Sequence, residues 1–79
     1  MKEKVYETIK ELSGIDNITD DMNLQLDLGF DSLTTITMLV MLEEKAEIEF
    51  DASDITPEDI TTVENVITLM KKYEVKNNG

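Results

Sequence analysis

Apolar residues recur along this chain in more than one rhythm. Val5, Ile9 and Leu12 fall at i, i+4 and i+7 between charged residues, which predicts an amphipathic helix from about Lys2 to Ser13, closed by Gly14. Between Ile15 and Asp31 the apolar residues Ile15, Ile18, Met22, Leu24, Leu26 and Leu28 fit no single helical face, and Asp and Asn punctuate them. That segment reads as a long loop pinned to the core by its apolar side chains. Loops of this length in a compact domain are commonly functional or conceal a helical turn, here around Thr19 to Asn23. Asp31 is a favoured N-cap, because its carboxylate accepts from the free N–H groups that follow, so Ser32 opens a second helix that ends near Ala46 or Glu47.

Thr56-Pro57-Glu58-Asp59 combines an N-cap threonine, a proline at the tolerated first position and two acids in the first turn, which predicts a third helix of about one turn. Thr61-Thr62-Val63-Glu64 contains an S/T-x-x-E capping box. Val63, Val66, Ile67, Met70 and Tyr73 follow at helical spacing and predict a fourth helix to about Tyr73 or Glu74, with Lys71 and Lys72 suited to its C-terminal end. The expected architecture is all-α: a small four-helix bundle with a long loop between helices 1 and 2 and a short third helix. It forms one domain over residues 1–79, with a frayed tail at 76–79.

The second helix carries two apolar faces. Steps of about 100° from Ser32 put Thr35, Met38, Leu39, Leu42 and Ala46 on one side, and Leu33, Ile36 and Val40 roughly 150° away. The larger set is the natural core stripe. The smaller begins beside Ser32 and shares its side with Glu43, Glu44 and Glu47. It is either a docking strip with an acidic rim, suited to a greasy groove ringed by Lys or Arg, or one flank of a central helix buried all round.

Length and charge narrow the function classes. A chain of 79 residues buries roughly 60% of its unfolded surface in one small core, which leaves no room for a deep active-site cleft. Eighteen acidic against 7 basic residues give a net charge of −11, which repels nucleic acid and anionic membranes and points to electropositive protein partners. The 41% hydrophobic content separates the chain from disordered acidic tails. Cys and His are absent, which excludes disulfides, Cys- or His-based zinc sites, a cysteine nucleophile and a Ser-His-Asp triad. Met1-Lys2-Glu3-Lys4-Val5 opens a charged segment with no secretory or membrane-spanning run, so a cytoplasmic location is expected.

Ser32 is the candidate for chemistry. It stands at a helix start, where unpaired N–H groups and the positive end of the helix dipole favour an esterified phosphate. Ser13, at the end of helix one, and Ser53, in a loop, open no long helix. Neither Asp16 to Asp27 nor Asp51 to Asp59 alternates oxygen ligands around a central Gly with a terminal Glu, so no calcium loop is expected and no metal. Paired carboxylates such as Asp20 and Asp21 lie in an acidic loop and support no enzyme. An acidic interaction module without a prosthetic group shares the charge and the helices, but gives no reason for a serine at this helix start.

Leu28-Gly29-Phe30-Asp31-Ser32-Leu33 resembles the acyl carrier proteins, whose hallmark is an Asp-Ser-Leu triplet opening the second of four helices. The resemblance extends through Leu42-Glu43-Glu44 and Ile48-Glu49-Phe50 to Ile60-Thr61-Thr62-Val63 and covers nearly the whole chain. It implies a non-catalytic carrier, whose Ser32 bears 4′-phosphopantetheine through a phosphodiester, donated by coenzyme A and installed by a phosphopantetheinyl transferase with Mg²⁺. The terminal thiol then holds acyl groups as thioesters for fatty-acid or polyketide enzymes. A peptidyl or aminoacyl cargo is the alternative.

By the same resemblance, Asp31 is the acid beside the attachment site and Leu33 its apolar neighbour. Ile36 and Val40 match partner-facing positions. Glu43, Glu44 and Glu47 match acids that meet basic patches on synthases, transferases and reductases. Met38, Leu39 and Leu42 match core positions that also line the space for a withdrawn acyl chain. A monomer is expected. Thr34 and Thr37 replace acids usual in fatty-acid carriers, and Gly29-Phe30-Asp31-Ser32-Leu33-Thr34 looks more like carriers of polyketide assembly, whereas the length and the acidic later half look like discrete bacterial carriers.

Overall fold

The computed structural model describes the backbone of residues 2–78 and the side chains of residues 2–74. Helix α1 spans Lys2–Ser13, as the apolar spacing predicts, and buries Val5 and Ile9 completely. Thr8 is buried beside them although polar; its hydroxyl donates to the Lys4 carbonyl at 2.7 Å, which removes the cost of leaving it unpaired. Gly14 closes the helix with φ 74°, a left-handed conformation that favours glycine, and its N–H donates to the Lys10 carbonyl at 2.9 Å.

The segment from Ile15 to Asp31 is tied down at several points. A turn forms where expected, with the Met22 N–H donating to the Thr19 carbonyl at 3.2 Å. Leu24, Leu28 and Phe30 are buried, and Ile15, Ile18 and Met22 pack partly against the core. Leu26 is the exception, at 81% exposure, and corrects the expectation that every apolar residue of the loop faces inward. The cause is local. The Asp27 and Leu28 N–H groups donate to the Asn23 carbonyl at 2.8 and 3.2 Å, so the chain winds here as one helical turn. Leu24 and Leu28, four apart, then share the inner side, and Leu26 between them is turned outward.

The second long helix, α2, spans Ser32–Ala46 and packs against α1, with Met38 and Leu42 fully buried. Lys45 reaches from it to Glu7 and Glu11 of α1 at 3.5 and 3.3 Å. Glu47 ends the helix in a left-handed conformation, φ 55°, and the Ile48 N–H donates to the Glu43 carbonyl at 3.1 Å.

The expected count of four helices is corrected. Among the described residues there are three α-helices and two short 3-10 segments, with no strand. One 3-10 turn, Ala52–Asp54, was not anticipated, and the other, Pro57–Ile60, stands where the third helix was expected. Four residues are too few to close a run of i→i+4 bonds. The Asp59 N–H donates instead to Thr56 at 3.0 Å and the Thr61 N–H to Glu58 at 3.3 Å, the tighter spacing.

The last helix, α3, spans Val63–Asn78 and buries Val63, Val66, Ile67, Leu69, Met70 and Tyr73. It continues beyond the Tyr73 or Glu74 end that the apolar spacing predicts. Its reciprocal cap joins Thr62 and Asn65, not Thr61 and Glu64: the Asn65 N–H donates to Thr62 Oγ1 at 3.1 Å and the Thr62 N–H to Asn65 Oδ1 at 3.2 Å. The expected frayed tail falls on 76–79, whose side chains lie outside the described residues. Three backbone bonds sew the loop to this helix start: Leu24 N–H to Thr61 at 3.0 Å, Val63 N–H to Met22 at 3.0 Å and Glu64 N–H to Asp20 at 2.9 Å. No helix among the described residues is long and apolar enough to cross a membrane.

Candidate functional site

Ser32 is the first residue of α2 and is exposed. Asp31 before it is extended at φ −88° and ψ −176°, and its Oδ1 accepts from the Thr34 N–H at 2.8 Å. The Thr34 backbone donor, followed by the Thr34 hydroxyl, holds the Asp31 carboxyl below the usual carboxylate range. Gly29, two residues upstream, takes φ 70°, a value that suits glycine and turns the chain so that Phe30 is buried while Asp31 and Ser32 face outward.

Beside Ser32 lies a cleft of about 470 Å³. One wall is α2, through Ser32, Thr35, Ile36 and Leu39; the loop supplies Asn23, Leu24 and Gln25; the 3-10 segment and its exit supply Pro57, Ile60 and Thr61. Phe30 and Asp31 complete the lining. The loop and the segment after Pro57 form one backed wall, because the Leu24 N–H donates to the Thr61 carbonyl. Leu39 was expected on this side. Met38 and Leu42, expected to line the same space, are fully buried in the core and do not reach it.

Apart from Asp31, the cleft residues outside α2 are not site residues that the sequence singles out. Pro57 and Thr61 lie far from Ser32 along the chain, and the backbone bonds between the loop and the start of α3 bring them beside it.

The second apolar stripe of α2 is exposed: Leu33 is 72%, Ile36 57% and Val40 46% accessible. Of the two arrangements the sequence allowed, the buried central helix is thereby excluded. Glu44 and Glu47 are exposed too, Glu44 in the last turn of α2 and Glu47 at its cap. Glu43 is half-buried, and its Oε2 accepts from the Phe50 N–H at 2.7 Å, so this carboxylate fastens the chain leaving α2. Phe50 in turn meets Tyr73 edge to face at 5.0 Å.

A phosphodiester on Ser32 fits these surroundings. It would sit at the positive end of a 15-residue helix, next to a carboxylate already engaged by Thr34, with a cleft of mixed polarity alongside for an arm that carries amides and methylenes. No group of His, Cys, Asp or Glu among the described residues is arranged to hold a metal ion.

Known proteins agree with the geometry. Residues 3–70 match a family described as the phosphopantetheine attachment site. D-alanyl carrier proteins from two strains of Listeria monocytogenes, serotype 4b and serovar 1/2a, are each 31% identical over 72 residues, covering 89% of this chain and 92% of theirs. The solved structure of a candidate acyl carrier protein from Mycobacterium tuberculosis superposes with a TM-score of 0.79 at 32% identity, covering 91% of this chain and 96% of that one. An all-α scaffold with an outward-facing serine at a helix start, matched over residues 3–70, makes this chain a member of the phosphopantetheine-binding carrier family, with covalently bound 4′-phosphopantetheine as its cofactor.

Proposed function

We propose that Ser32 bears the 4′-phosphopantetheine arm and that the protein carries acyl intermediates between biosynthetic enzymes without catalysing a reaction itself. The observation that carries this reading is the exposed Ser32 hydroxyl at the mouth of the cleft, at the start of α2. In the loading step, Ser32 Oγ forms a bond to the phosphorus that bears the pantetheine arm in coenzyme A. The pyrophosphate P–O bond breaks, the nucleotide leaves, and the hydroxyl proton passes to a base of the transferase. Asp31 is the acid beside the reacting oxygen and Leu33 the apolar neighbour. The arm supplies a terminal thiol that holds cargo as a thioester; turnover belongs to the partners.

Leu33, Ile36 and Val40 form the docking strip, with Glu44 and Glu47 as acids that meet basic patches on acyl synthases, transferases or reductases. Glu43 contributes charge while it holds Phe50. The protein acts as a monomer in the cytoplasm. Fatty-acid or polyketide intermediates are one cargo class. Aminoacyl cargo is the second, supported by the D-alanyl carrier proteins among its relatives.

Incubation with coenzyme A, Mg²⁺ and a broad-specificity phosphopantetheinyl transferase is expected to add the mass of one phosphopantetheine, and Ser32→Ala to abolish the addition. A wild-type protein of unchanged mass would leave the acidic interaction module in its place. Mass spectrometry of the acyl group on protein purified from its host separates the cargo classes.

A further inference from the structure

Four large apolar side chains stand exposed among the described residues, and the attachment helix accounts for only three of them. The fourth is Leu26, the most accessible at 81%. It is not a slack loop residue. Asn23 Oδ1 accepts from the Gln25 and Leu26 N–H groups at 2.9 and 2.8 Å, Asp27 Oδ2 accepts from the Asn23 N–H at 2.7 Å, and the buried Leu24 and Leu28 anchor the turn on either side. A leucine held outward on so fully bonded a turn is displayed at little entropic cost for a partner to cover. Its neighbours Asn23, Leu24 and Gln25 line the loop side of the cleft, whose α2 side is lined by Ser32 and Ile36. Leu26 therefore adjoins one wall of the cleft, and Ile36 of the α2 strip belongs to the other.

That placement selects among partners. An enzyme that acts on cargo at the far end of the arm approaches from any direction within the arm's reach. An enzyme that must bring coenzyme A to Ser32 Oγ itself has to straddle the serine. Building on the assignment of Ser32, we propose that Leu26 is a specificity-determining contact for the phosphopantetheinyl transferase, which grips the carrier through Leu26 on the loop side and Leu33 and Ile36 on the helix side. The chemistry of that grip is an apolar pocket with a basic rim. Between residues 11 and 70 the chain has a single cation, Lys45, and it is held by Glu7 and Glu11, whereas Asp27 and Asp31 flank the site.

The test compares wild type, Leu26→Gln and Leu26→Met in transfer from coenzyme A, with circular dichroism melting on each variant. Leu26→Gln is expected to lower kcat/KM about tenfold through KM, with unchanged melting, and Leu26→Met to restore most of it. Equal kcat/KM for Leu26→Gln and wild type, both modified at Ser32, overturns the role of Leu26 and leaves the attachment site standing. Absence of modification in wild type overturns the attachment site instead. Unchanged transfer with loss of concentration-dependent self-association in Leu26→Gln assigns the leucine to a second copy of the chain and also overturns the proposal. A lowered melting temperature in both variants shows a structural leucine, with the same consequence.

Discussion

Asp31 precedes Ser32, the proposed attachment residue, and caps the helix that presents it, so its charge is accessible to pH. Its carboxyl is held low by the Thr34 backbone N–H and hydroxyl, so the folded state binds its proton less readily than the unfolded chain does. A depressed carboxylate stabilises fully above its unfolded value, and that contribution is lost as pH falls through the folded value, here below about pH 4. Asp20 shifts the same way, mainly through the Tyr6 hydroxyl that donates to it, so acid unfolding alone does not isolate Asp31. Asp31→Asn does. Asparagine also caps but does not titrate, so wild type is expected to lose melting temperature relative to the variant as pH falls through this acid window, with the difference constant above it. A carboxyl NMR titration of Asp31 is expected to show a midpoint below the usual range, and an ordinary midpoint would count against the Thr34 contact.

Helix α2 has two apolar sides, and only one of them is buried in the core, against α1. Val40→Glu tests the division: it is expected to weaken docking about tenfold, read as a rise in KM for a partner enzyme, while helicity persists. Loss of the fold would place Val40 in the core. What the sequence made legible at this scale was what nearest neighbours decide. The Asp31 cap, the Gly14 stop and the two faces of α2 each depend on residues within about two turns. Features that depend on chain returning from a distance were not legible. Glu43 looked like a rim acid until the left-handed turn at Glu47 brought the Phe50 N–H to it. Leu26 looked like an anchor because spacing alone does not distinguish an extended pass from one helical turn. Thr62 rather than Thr61 caps α3 because Thr61 Oγ1 is already donating to the Pro57 carbonyl at 2.8 Å, a bond that exists only once the 3-10 segment has formed.

For the molecule as a whole, the net charge of −11 is spread over a body of 34 × 23 × 19 Å. The ion pairs seen among the described residues do little to offset this. Lys2–Asp20 and Lys10–Asp16 are largely exposed, a class worth little each, and the two bonds of Lys45 join a partly buried ammonium to exposed acids. The dimensions then decide the salt response. At about 0.01 M salt the screening length is roughly 30 Å, so acids at opposite ends of the molecule repel one another; at about 0.1 M it is roughly 10 Å, and only neighbours do. Unfolding lets the acids move apart, so the repulsion penalises the compact state, and screening removes more from that penalty than from the weak pairs. The melting temperature is therefore expected to rise by several degrees between these two salt concentrations, measured in sodium chloride by circular dichroism. A flat or falling curve would mean that the Lys45 and Lys2 contacts outweigh the repulsion. The same field bears on docking, because a carrier whose attachment face carries this charge should bind a basic partner faster at low salt, where its own fold is weakest.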